Sequence, residues 1–181
     1  TGDIHTANQL AAGLETRDQA KTFIYAFLYG AGDSKIGSIT GGNARDGKRL
    51  KEKFLANTPA LGRLRERVGT ASGRGYVLGL DRRRVTIRSS HAALNSLLQS
   101  AGAIIMKKAL CLLDEYATIW GLDYHIIGNI HDEIQTEVRE KDAEVFGRLA
   151  TSCVEAAGLF YKLNCPLAGD YKVGNSWADT H

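Results

Sequence analysis

Four side chains near the start of the chain recur at intervals of four residues and could together bind a nucleotide: Arg17, Lys21, Tyr25 and Tyr29. If the segment is helical they share one face, because residues four apart are neighbours on an α-helix. The cations would lie near the helix N-terminus, where the dipole favours a phosphate chain, and the tyrosines offer a stacking surface. A solvated helix face with both tyrosines in the core explains the same spacing, so the pattern alone leaves both interpretations open.

The sequence His131-Asp132-Glu133 places two adjacent carboxylates between two strand-like segments. A turn there projects the side chains at a sheet edge, where their oxygens could hold a hard divalent cation. An ordinary polar hairpin turn has the same composition and is the favoured interpretation of the pattern alone. A metal-dependent phosphohydrolase also uses His-Asp pairs, but it needs several histidines on helices, whereas this dipeptide follows a strand.

A third group at the four-residue interval consists of His91, Asn95 and Gln99. On one helix face, amide side chains can donate to the acceptors that every base pair presents in the DNA minor groove. The polar outer face of an amphipathic helix explains this pattern equally well.

Capping residues and periodicity predict the helices that must position these groups. Thr16 and Gln19 form a capping-box pattern, so the first group lies on a helix that runs to Tyr29 and stops at Gly30. A long helix over about 90–120 carries the third group. The other predicted helices cover 3–14, 44–56, 59–70 and 141–157.

Strand patterns indicate two antiparallel pairs, with the acidic turn inside the second pair. The first joins 76–78 to 85–87, the second joins 124–130 to 134–138, and a final strand is predicted over 167–173. A helical layer against small antiparallel sheets predicts an α+β fold.

The charge of the chain is unevenly distributed. Lys and Arg total 23 against 20 Asp and Glu, a net charge of +3. Between Arg45 and Arg88 there are 13 basic and 4 acidic residues, a local charge of +9, while the remainder carries −6. A concentration of one sign suggests a polyanion such as nucleic acid, although a solvated helix face is an equally open interpretation.

Composition argues against secreted and membrane proteins. The sequence predicts no apolar run of the length that a membrane helix needs, and the chain start lacks the pattern of a signal peptide. The three cysteines, Cys111, Cys153 and Cys165, have no CxxC spacing, which predicts reduced thiols and no zinc site.

The motifs gain specificity when they are taken in order. Residues 17–30 follow the pattern R-x3-K-x3-[FY]-x3-Y-G, His131-Asp132-Glu133 comes later, and the chain ends in GNSWADTH. Together they closely resemble family A DNA polymerases, especially the replicative enzymes of short-tailed bacteriophages. Residues 17–30 are similar to the nucleotide-binding helix of the fingers, and 131–133 to the metal-binding motif of the palm. The resemblance covers essentially the whole chain and also includes 92–107, where the family tracks the primer–template minor groove.

The resemblance implies roles in nucleotide binding for five residues. Arg17 and Lys21 hold the incoming triphosphate, with His5 as a third contact. Tyr25 faces the sugar, and Tyr29 packs near the templating base.

It also implies roles in catalysis and in DNA binding. Asp132 is a ligand for two Mg²⁺ ions, Glu133 beside it is a weaker or indirect ligand, and Lys21 joins them as a catalytic residue. His131 positions the primer terminus. The residues implied to touch the duplex near the primer end are His91, Asn95 and Gln99.

The resemblance implies a domain organisation as well. Residues 1–72 correspond to helices of the fingers, including the nucleotide-binding helix at about 16–30. Residues 73–181 correspond to the C-terminal part of the palm, with a hairpin, a long helix and the metal-binding turn.

One element of the family pattern is missing from this sequence. Family members supply a second essential aspartate from a motif upstream of the stretch matched by Asp3-Ile4-His5, and Asp3 corresponds to a different position. Because the chain also begins with Thr1, we expect a C-terminal fragment of a polymerase. Alone it would be inactive.

The expected function is template-directed DNA synthesis with primer-template DNA, dNTP and Mg²⁺, in the cytoplasm of a bacterial host if a phage encodes the chain. No membrane partner is expected. The alternative is a noncatalytic half of a split polymerase, which binds nucleotide and nucleic acid and is active only with a complementing chain or the missing N-terminal segment.

Overall fold

The computed structural model describes residues 3–181, which form two compact units. The N-terminal unit extends to Leu98 and the C-terminal unit covers Gln99–His181. The predicted boundary at residues 72 and 73 separates the fingers from the palm by function, whereas the boundary at Leu98 separates two compact units. The functional boundary stays a prediction.

Five helices make up most of the N-terminal unit. Their ends follow the capping residues: Thr16 and Gln19 form a capping box at the second helix, and Asn43 and Asp46 form another at the fourth. Pro59 opens the fifth helix, where its missing N–H costs no hydrogen bond. The helices are α1 Ile4–Ala12, α2 Arg17–Leu28, α3 Asp33–Ser38, α4 Ala44–Asn57 and α5 Pro59–Ser72.

Three phenylalanines form the core between these helices. Phe54 of α4 meets Phe23 and Phe27 of α2 edge-on, with ring centroids 5.1 and 5.4 Å apart. Ile36 of α3 completes the buried cluster. The face of α2 opposite to these phenylalanines is therefore left for solvent.

Glycines let α3 and α4 approach each other backbone to backbone. A Cβ at Gly47 of α4 would lie 1.9 Å from the carbonyl oxygen of Asp33, and one at Gly37 of α3 would lie 1.9 Å from that of Asn43. No other residue fits this contact without displacing a helix.

A hairpin and the start of a long helix complete the N-terminal unit. Strands β1 (Tyr76–Leu78) and β2 (Arg84–Thr86) pair antiparallel, as predicted. A 3₁₀ turn over Ser90–Ala92 leads into α6 (Ala93–Ile119), which continues into the C-terminal unit. The buried cluster here is Val68, Val77, Ala93 and Leu94, with Leu28 of α2 packed against it.

The end of α2 also touches the 3₁₀ turn through the backbone. Gly30 has a φ of +78°, and a Cβ there would lie 2.2 Å from the carbonyl oxygen of His91. Glycine is required on both counts, because an L side chain is strained at this φ and would also clash.

The C-terminal unit packs a helix against a second hairpin. Strands β3 (Tyr124–Ile130) and β4 (Glu133–Val138) pair antiparallel, and α7 (Ala143–Phe160) follows. The buried core consists of Leu113, Ala117, Phe146, Leu149 and Cys153. Together with the N-terminal unit, this architecture confirms the predicted α+β class.

The strand predicted over 167–173 is wrong, because this segment is irregular. Its side chains pack onto α7 instead of joining a ladder: Tyr171 lies against Gly147, and its hydroxyl donates to Glu144 at 2.7 Å. A short helix that was not predicted, α8 (Trp177–Thr180), follows.

One helical stretch in the described residues, Ser90–Ile119, is long and apolar enough by length and composition to cross a membrane. The expectation concerned an apolar run, whereas this stretch contains Lys107 and Lys108; the mean hydropathy of an 18-residue window in it reaches 1.4. A core helix of a soluble protein passes the same test, so the finding is weak evidence for a membrane span.

Candidate nucleotide-binding and metal-binding sites

The predicted nucleotide-binding face of α2 is exposed along its length. Ala20, Phe23 and Phe27 of this helix are buried, whereas all four residues of the first group are exposed. The interpretation that buries both tyrosines is therefore wrong: Tyr25 is 49% and Tyr29 60% exposed. The structure thus places two cations and two phenols on one accessible face. We call the set Arg17, Lys21, Tyr25 and Tyr29 the α2 row.

Packing of α1 on α2 brings His5 to the α2 row. The His5 and Tyr25 rings are 6.2 Å apart at their centroids and tilted by 52°. The Nδ1 atom of His5 is buried and has no hydrogen-bond partner in the part of the chain that the structure describes. The structure therefore joins a predicted third contact to the row, although His5 is distant from Tyr25 in sequence.

Arg17 is engaged by a carboxylate that sequence reasoning did not select. Its Nε donates to Asp3 Oδ2 at 2.7 Å, and Nη2 donates to Oδ1 at 3.3 Å. Asp3 also caps α1, accepting from the backbone N–H of His5 and the hydroxyl of Thr6. The Arg17 and Thr6 hydrogen bonds hold the pKa of Asp3 far below its usual range. An anion that binds Arg17 must therefore compete with Asp3.

Lys21 is exposed, and no hydrogen bond or ion pair engages it among residues 3–181. It lies one turn beyond Arg17 on the same face of α2. Its ammonium group is available to a ligand without displacing a protein partner.

The acidic turn is a tight loop between β3 and β4. Ile130 pairs with Glu133, so only His131 and Asp132 lie in the loop. His131 adopts a φ of +57°, the left-handed conformation that such two-residue loops use. Asp132 is exposed, and no described residue hydrogen-bonds its carboxylate. This carboxylate is free to bind a cation.

Glu133 differs from Asp132 because protein donors engage both of its oxygens. Gln135 Nε2 and Trp177 Nε1 donate to Oε1, the latter at 3.0 Å, and His181 Nδ1 lies 3.0 Å from Oε2. The Gln135 and His181 hydrogen bonds lower the pKa of Glu133 below its usual value. We call Gln135, Trp177 and His181 the Glu133 clamp.

The turn fits a single magnesium ligand better than a complete magnesium site. Mg²⁺ prefers carboxylate oxygens, which Asp132 presents. Within the described residues no group of three or more His, Cys, Asp or Glu side chains converges to hold a metal ion. A two-ion arrangement would need further carboxylates.

The third predicted group lies on the 3₁₀ turn and α6. His91 is exposed and belongs to the turn, while Asn95 is half-buried and lies in the first turns of α6. Gln99 is exposed one turn later, at the start of the C-terminal unit. The structure is consistent with their predicted helical spacing and does not test their role in DNA binding.

Most side chains of the basic segment 45–88 reach solvent. Some are engaged: Lys51 donates to the carbonyl of Ala31 and pairs with Asp33 at 2.9 Å, and Arg83 pairs with Asp81. Arg84 stacks over the Tyr76 ring at 4.7 Å. Exposed and without an ion pair or ring contact among the described residues are Arg45, Lys53, Arg63, Arg67, Arg82 and Arg88.

Comparison with known proteins shows the family of the chain and does not test the roles of its site residues. A family model described as DNA polymerase family A matches residues 2–179. The chain belongs to DNA polymerase family A. It is 45% identical over 202 residues to the DNA-directed DNA polymerase of Escherichia phage T7, a match covering 99% of this chain and 29% of that protein. The corresponding enzyme of Escherichia phage Phieco32 is 42% identical over 187 residues, covering 99% and 30%.

A solved structure supports the fold of this family A chain. The POL domain of Pol1 from M. smegmatis, in complex with DNA primer-template and dNTP, matches with a TM-score of 0.77 at 22% identity. The match covers 86% of this chain and 31% of that chain. This family A chain therefore spans less than a third of the length of the proteins it matches.

Proposed function

We propose that this chain supplies the nucleotide-binding fingers and the Asp132 turn of the palm to an enzyme of template-directed DNA synthesis. In that reaction the primer 3′-hydroxyl attacks the α-phosphate of a dNTP, and pyrophosphate leaves. The observation that carries the proposal is the exposed α2 row with His5 packed beside it, in a family A chain. The bacterial host cytoplasm is the proposed place of action, because the relatives above include phage enzymes.

The α2 row binds and orients the nucleotide. Arg17 and Lys21 hold the triphosphate near the N-terminus of α2, where the helix dipole adds to their attraction. They also offset the negative charge that develops on the phosphates as the bond to the leaving group breaks. His5 is a third contact, Tyr25 faces the sugar, and Tyr29 packs near the templating base.

The Asp132 turn would hold magnesium. When bound, Mg²⁺ polarises phosphoryl oxygens and lowers the pKa of the attacking hydroxyl. Asp132 is the proposed direct ligand, while Glu133 acts indirectly because protein donors engage both of its oxygens. The resemblance to family members points to a second aspartate from an upstream motif, so we expect the 181-residue polypeptide alone to be inactive.

Primer-template DNA is the proposed macromolecular ligand. His91, Asn95 and Gln99 contact the duplex near the primer end, and His131 positions the primer terminus. The exposed cations of segment 45–88 add sequence-independent attraction to phosphates.

A second candidate function is a noncatalytic binding half that needs a complementing chain. The observation that favours it is the lack of any three-ligand metal cluster in residues 3–181. Both candidates bind dNTP and DNA and leave the isolated chain inactive; they differ in whether the missing aspartate comes from an upstream segment of the same polypeptide or from a separate complementing chain.

Nucleotide binding is tested by titrating the chain with a fluorescent dNTP analogue. Lys21→Ala should weaken binding, because Lys21 is a free cation of the α2 row. Lys35→Ala on α3 is the matched control, since it removes an exposed lysine outside the row. Equal loss in both variants, or no binding at all, would contradict the proposed nucleotide site.

Catalysis is tested by primer extension with the chain alone and after addition of an N-terminal polypeptide from the phage T7 relative. We expect no extension alone and extension with the added polypeptide. In the reconstituted enzyme Asp132→Asn should abolish synthesis, whereas Glu133→Gln should leave a measurable remnant. Steady template-dependent extension by the isolated chain would contradict the expected inactivity.

A further inference from the structure

The last residues of the sequence supply donors to the acidic turn, and their part in the proposed metal site can be specified further. Trp177 opens α8, and its indole N–H donates to Glu133 Oε1 at 3.0 Å. His181 lies directly after α8 and contacts Glu133 Oε2 at 3.0 Å. Two side chains far away in sequence therefore meet the two oxygens of one carboxylate.

Further hydrogen bonds fix the segment that carries these side chains. Asp179 Oδ2 accepts from the backbone N–H of Asn175 at 3.1 Å and from the Ser176 hydroxyl at 2.9 Å. The Thr180 hydroxyl donates to Gln135 Oε1 at 3.3 Å, and Gln135 itself donates to Glu133. The end segment is thus hydrogen-bonded to Glu133 and Gln135, which are two residues apart on β4 and therefore lie on the same face of the strand.

The hydrogen bonds to both oxygens of Glu133 limit how its carboxylate can bind a cation. A carboxylate whose two oxygens both accept hydrogen bonds from fixed protein donors loses these donors if it rotates toward a cation. Asp132, the adjacent residue, carries no such restraint among the described residues. The Glu133 clamp therefore distinguishes the two neighbouring carboxylates of the turn and offers a structural reason for the weaker role expected of Glu133.

We propose that Trp177 and His181 are positioning residues, which hold the Glu133 carboxylate away from a cation and leave Asp132 as the ligand of the turn. The inference rests on the proposed function, because it concerns the same candidate metal site. The two residues act through Glu133, whose carboxylate oxygens they contact.

The clamp itself is tested by nuclear magnetic resonance on the ¹⁵N-labelled chain, without metal, nucleotide or DNA. The chain has two tryptophans, and Trp120→Phe assigns the two indole signals. Glu133→Gln should shift the Trp177 indole proton upfield, because its hydrogen bond to a charged oxygen is replaced by a weaker one. Glu137→Gln, an exposed carboxylate on the same strand, should leave that signal in place. An unshifted signal in Glu133→Gln would overturn the clamp.

The positioning role is tested by the affinity for Mn²⁺ as the probe ion. In the double variant Trp177→Phe, His181→Ala, Glu133 keeps only the Gln135 hydrogen bond and can turn an oxygen toward a cation on Asp132, so Mn²⁺ should bind at least about five-fold more tightly. Adding Glu133→Gln to this variant should remove the gain, and the Trp120 indole signal reports whether the unit remains folded.

The outcomes separate this inference from the proposed function. Equal Mn²⁺ affinity with and without Trp177 and His181 would show a merely structural contact and overturn the proposal. Absence of Mn²⁺ binding in every form would likewise overturn it, because a released Glu133 would then add nothing to Asp132. Failure to bind dNTP or extend primers would contradict the proposed function while leaving the indole result intact.

Discussion

At the scale of single residues, the members of the α2 row differ in how readily each could contact a ligand. Arg17 is held by Asp3, Lys21 has no described partner, and Tyr25 lies beside the His5 ring. A triphosphate could therefore bind Lys21 directly, whereas it would have to replace the Asp3 carboxylate to bind Arg17. The two basic residues are expected to respond differently to substitution.

The Tyr25 hydroxyl has a specific predicted effect on dideoxynucleotides. In family A enzymes the 3′-hydroxyl of a normal dNTP helps to organise its own phosphates, and a dideoxynucleotide lacks it. A tyrosine hydroxyl next to the sugar can replace that hydrogen bond, which is worth roughly 1.5–3 kcal/mol when one partner is charged. Tyr25→Phe in the reconstituted enzyme should therefore lower dideoxynucleotide use about ten-fold or more.

The measurement is a competition between dNTP and ddNTP, read as the ratio of incorporation. Ordinary dNTP use serves as the internal control, because those substrates carry their own hydroxyl. An unchanged ratio would show that Tyr25 does not face the sugar, and it would undermine the placement of the α2 row.

Asp3 is predicted to reduce the affinity of the row for anions. Asp3→Asn keeps an N-cap acceptor for α1 but removes the negative charge that engages Arg17. Exposed ion pairs are weak because solvent screens them, so dNTP should bind only up to about five-fold more tightly. Titration of the fluorescent dNTP analogue measures the change, with Asp18→Asn as the control for general charge on α2. Weaker binding in Asp3→Asn would mean that Asp3 orients Arg17 for the ligand.

The α2 row could be predicted from sequence because residues four apart on a helix share one face. Contacts between segments that are distant in sequence could not be predicted in this way. Asp3 pairs with Arg17 only because α1 packs on α2, and Trp177 reaches Glu133 only because the end segment folds onto β4. The sequence offered two signals for these residues: Asp3 at a helix N-cap, and Trp177 and His181 four residues apart. Both signals indicate local structure, and neither identifies the residue that is contacted.

At the scale of elements, the junction of α3 and α4 has no room for side chains. Amphipathic periodicity predicted α4 over 44–56, one residue short of its observed end, but the backbone contact through Gly37 and Gly47 depends on tertiary packing that no local pattern encodes. The segment 167–173 is a second case in which tertiary packing, and not the local pattern, decides the structure. Its alternating pattern predicted a strand, and packing of Tyr171 against α7 decided the outcome.

Two glycine substitutions are predicted to have opposite effects on stability. Gly47→Ala should lower the free energy of unfolding by about 1–3 kcal/mol, because the added methyl group forces α4 away from Asp33. Gly69→Ala on α5 has open space around its Cβ and should raise it by about 0.5–1 kcal/mol through helix propensity. Chemical denaturation of both variants measures the difference. Equal effects would contradict the close contact of α3 and α4.

At the scale of the whole molecule, the uneven charge distribution predicts where DNA binds. The N-terminal unit carries the basic segment 45–88, and α5 exposes Arg63 and Arg67 one turn apart without ion pairs among the described residues. Such cations bind phosphates without reading sequence, and the release of counterions makes the affinity depend on salt.

Binding of duplex DNA should therefore weaken steeply as salt rises. Each neutralised phosphate contributes about −0.9 to the slope of log K against log salt, so Arg63→Ala with Arg67→Ala should make the slope shallower by up to about two. Fluorescence anisotropy over a salt series measures the slopes. Lys172→Ala, an exposed cation of the C-terminal unit, should leave the slope unchanged. Affinity that is insensitive to salt would indicate a merely solvated surface.

The contact between Gly30 and His91 has a mechanical consequence. It brings the end of α2, the proposed nucleotide-binding helix, against the residue proposed to touch DNA, backbone to backbone, with Leu28 packed on the adjoining cluster. Backbone contacts of this kind cannot be relaxed by a change of rotamer, so the two segments move as one part. If the proposed nucleotide displaces α2, His91 would be displaced with it, so the proposed contact with the duplex would depend on whether the nucleotide is bound.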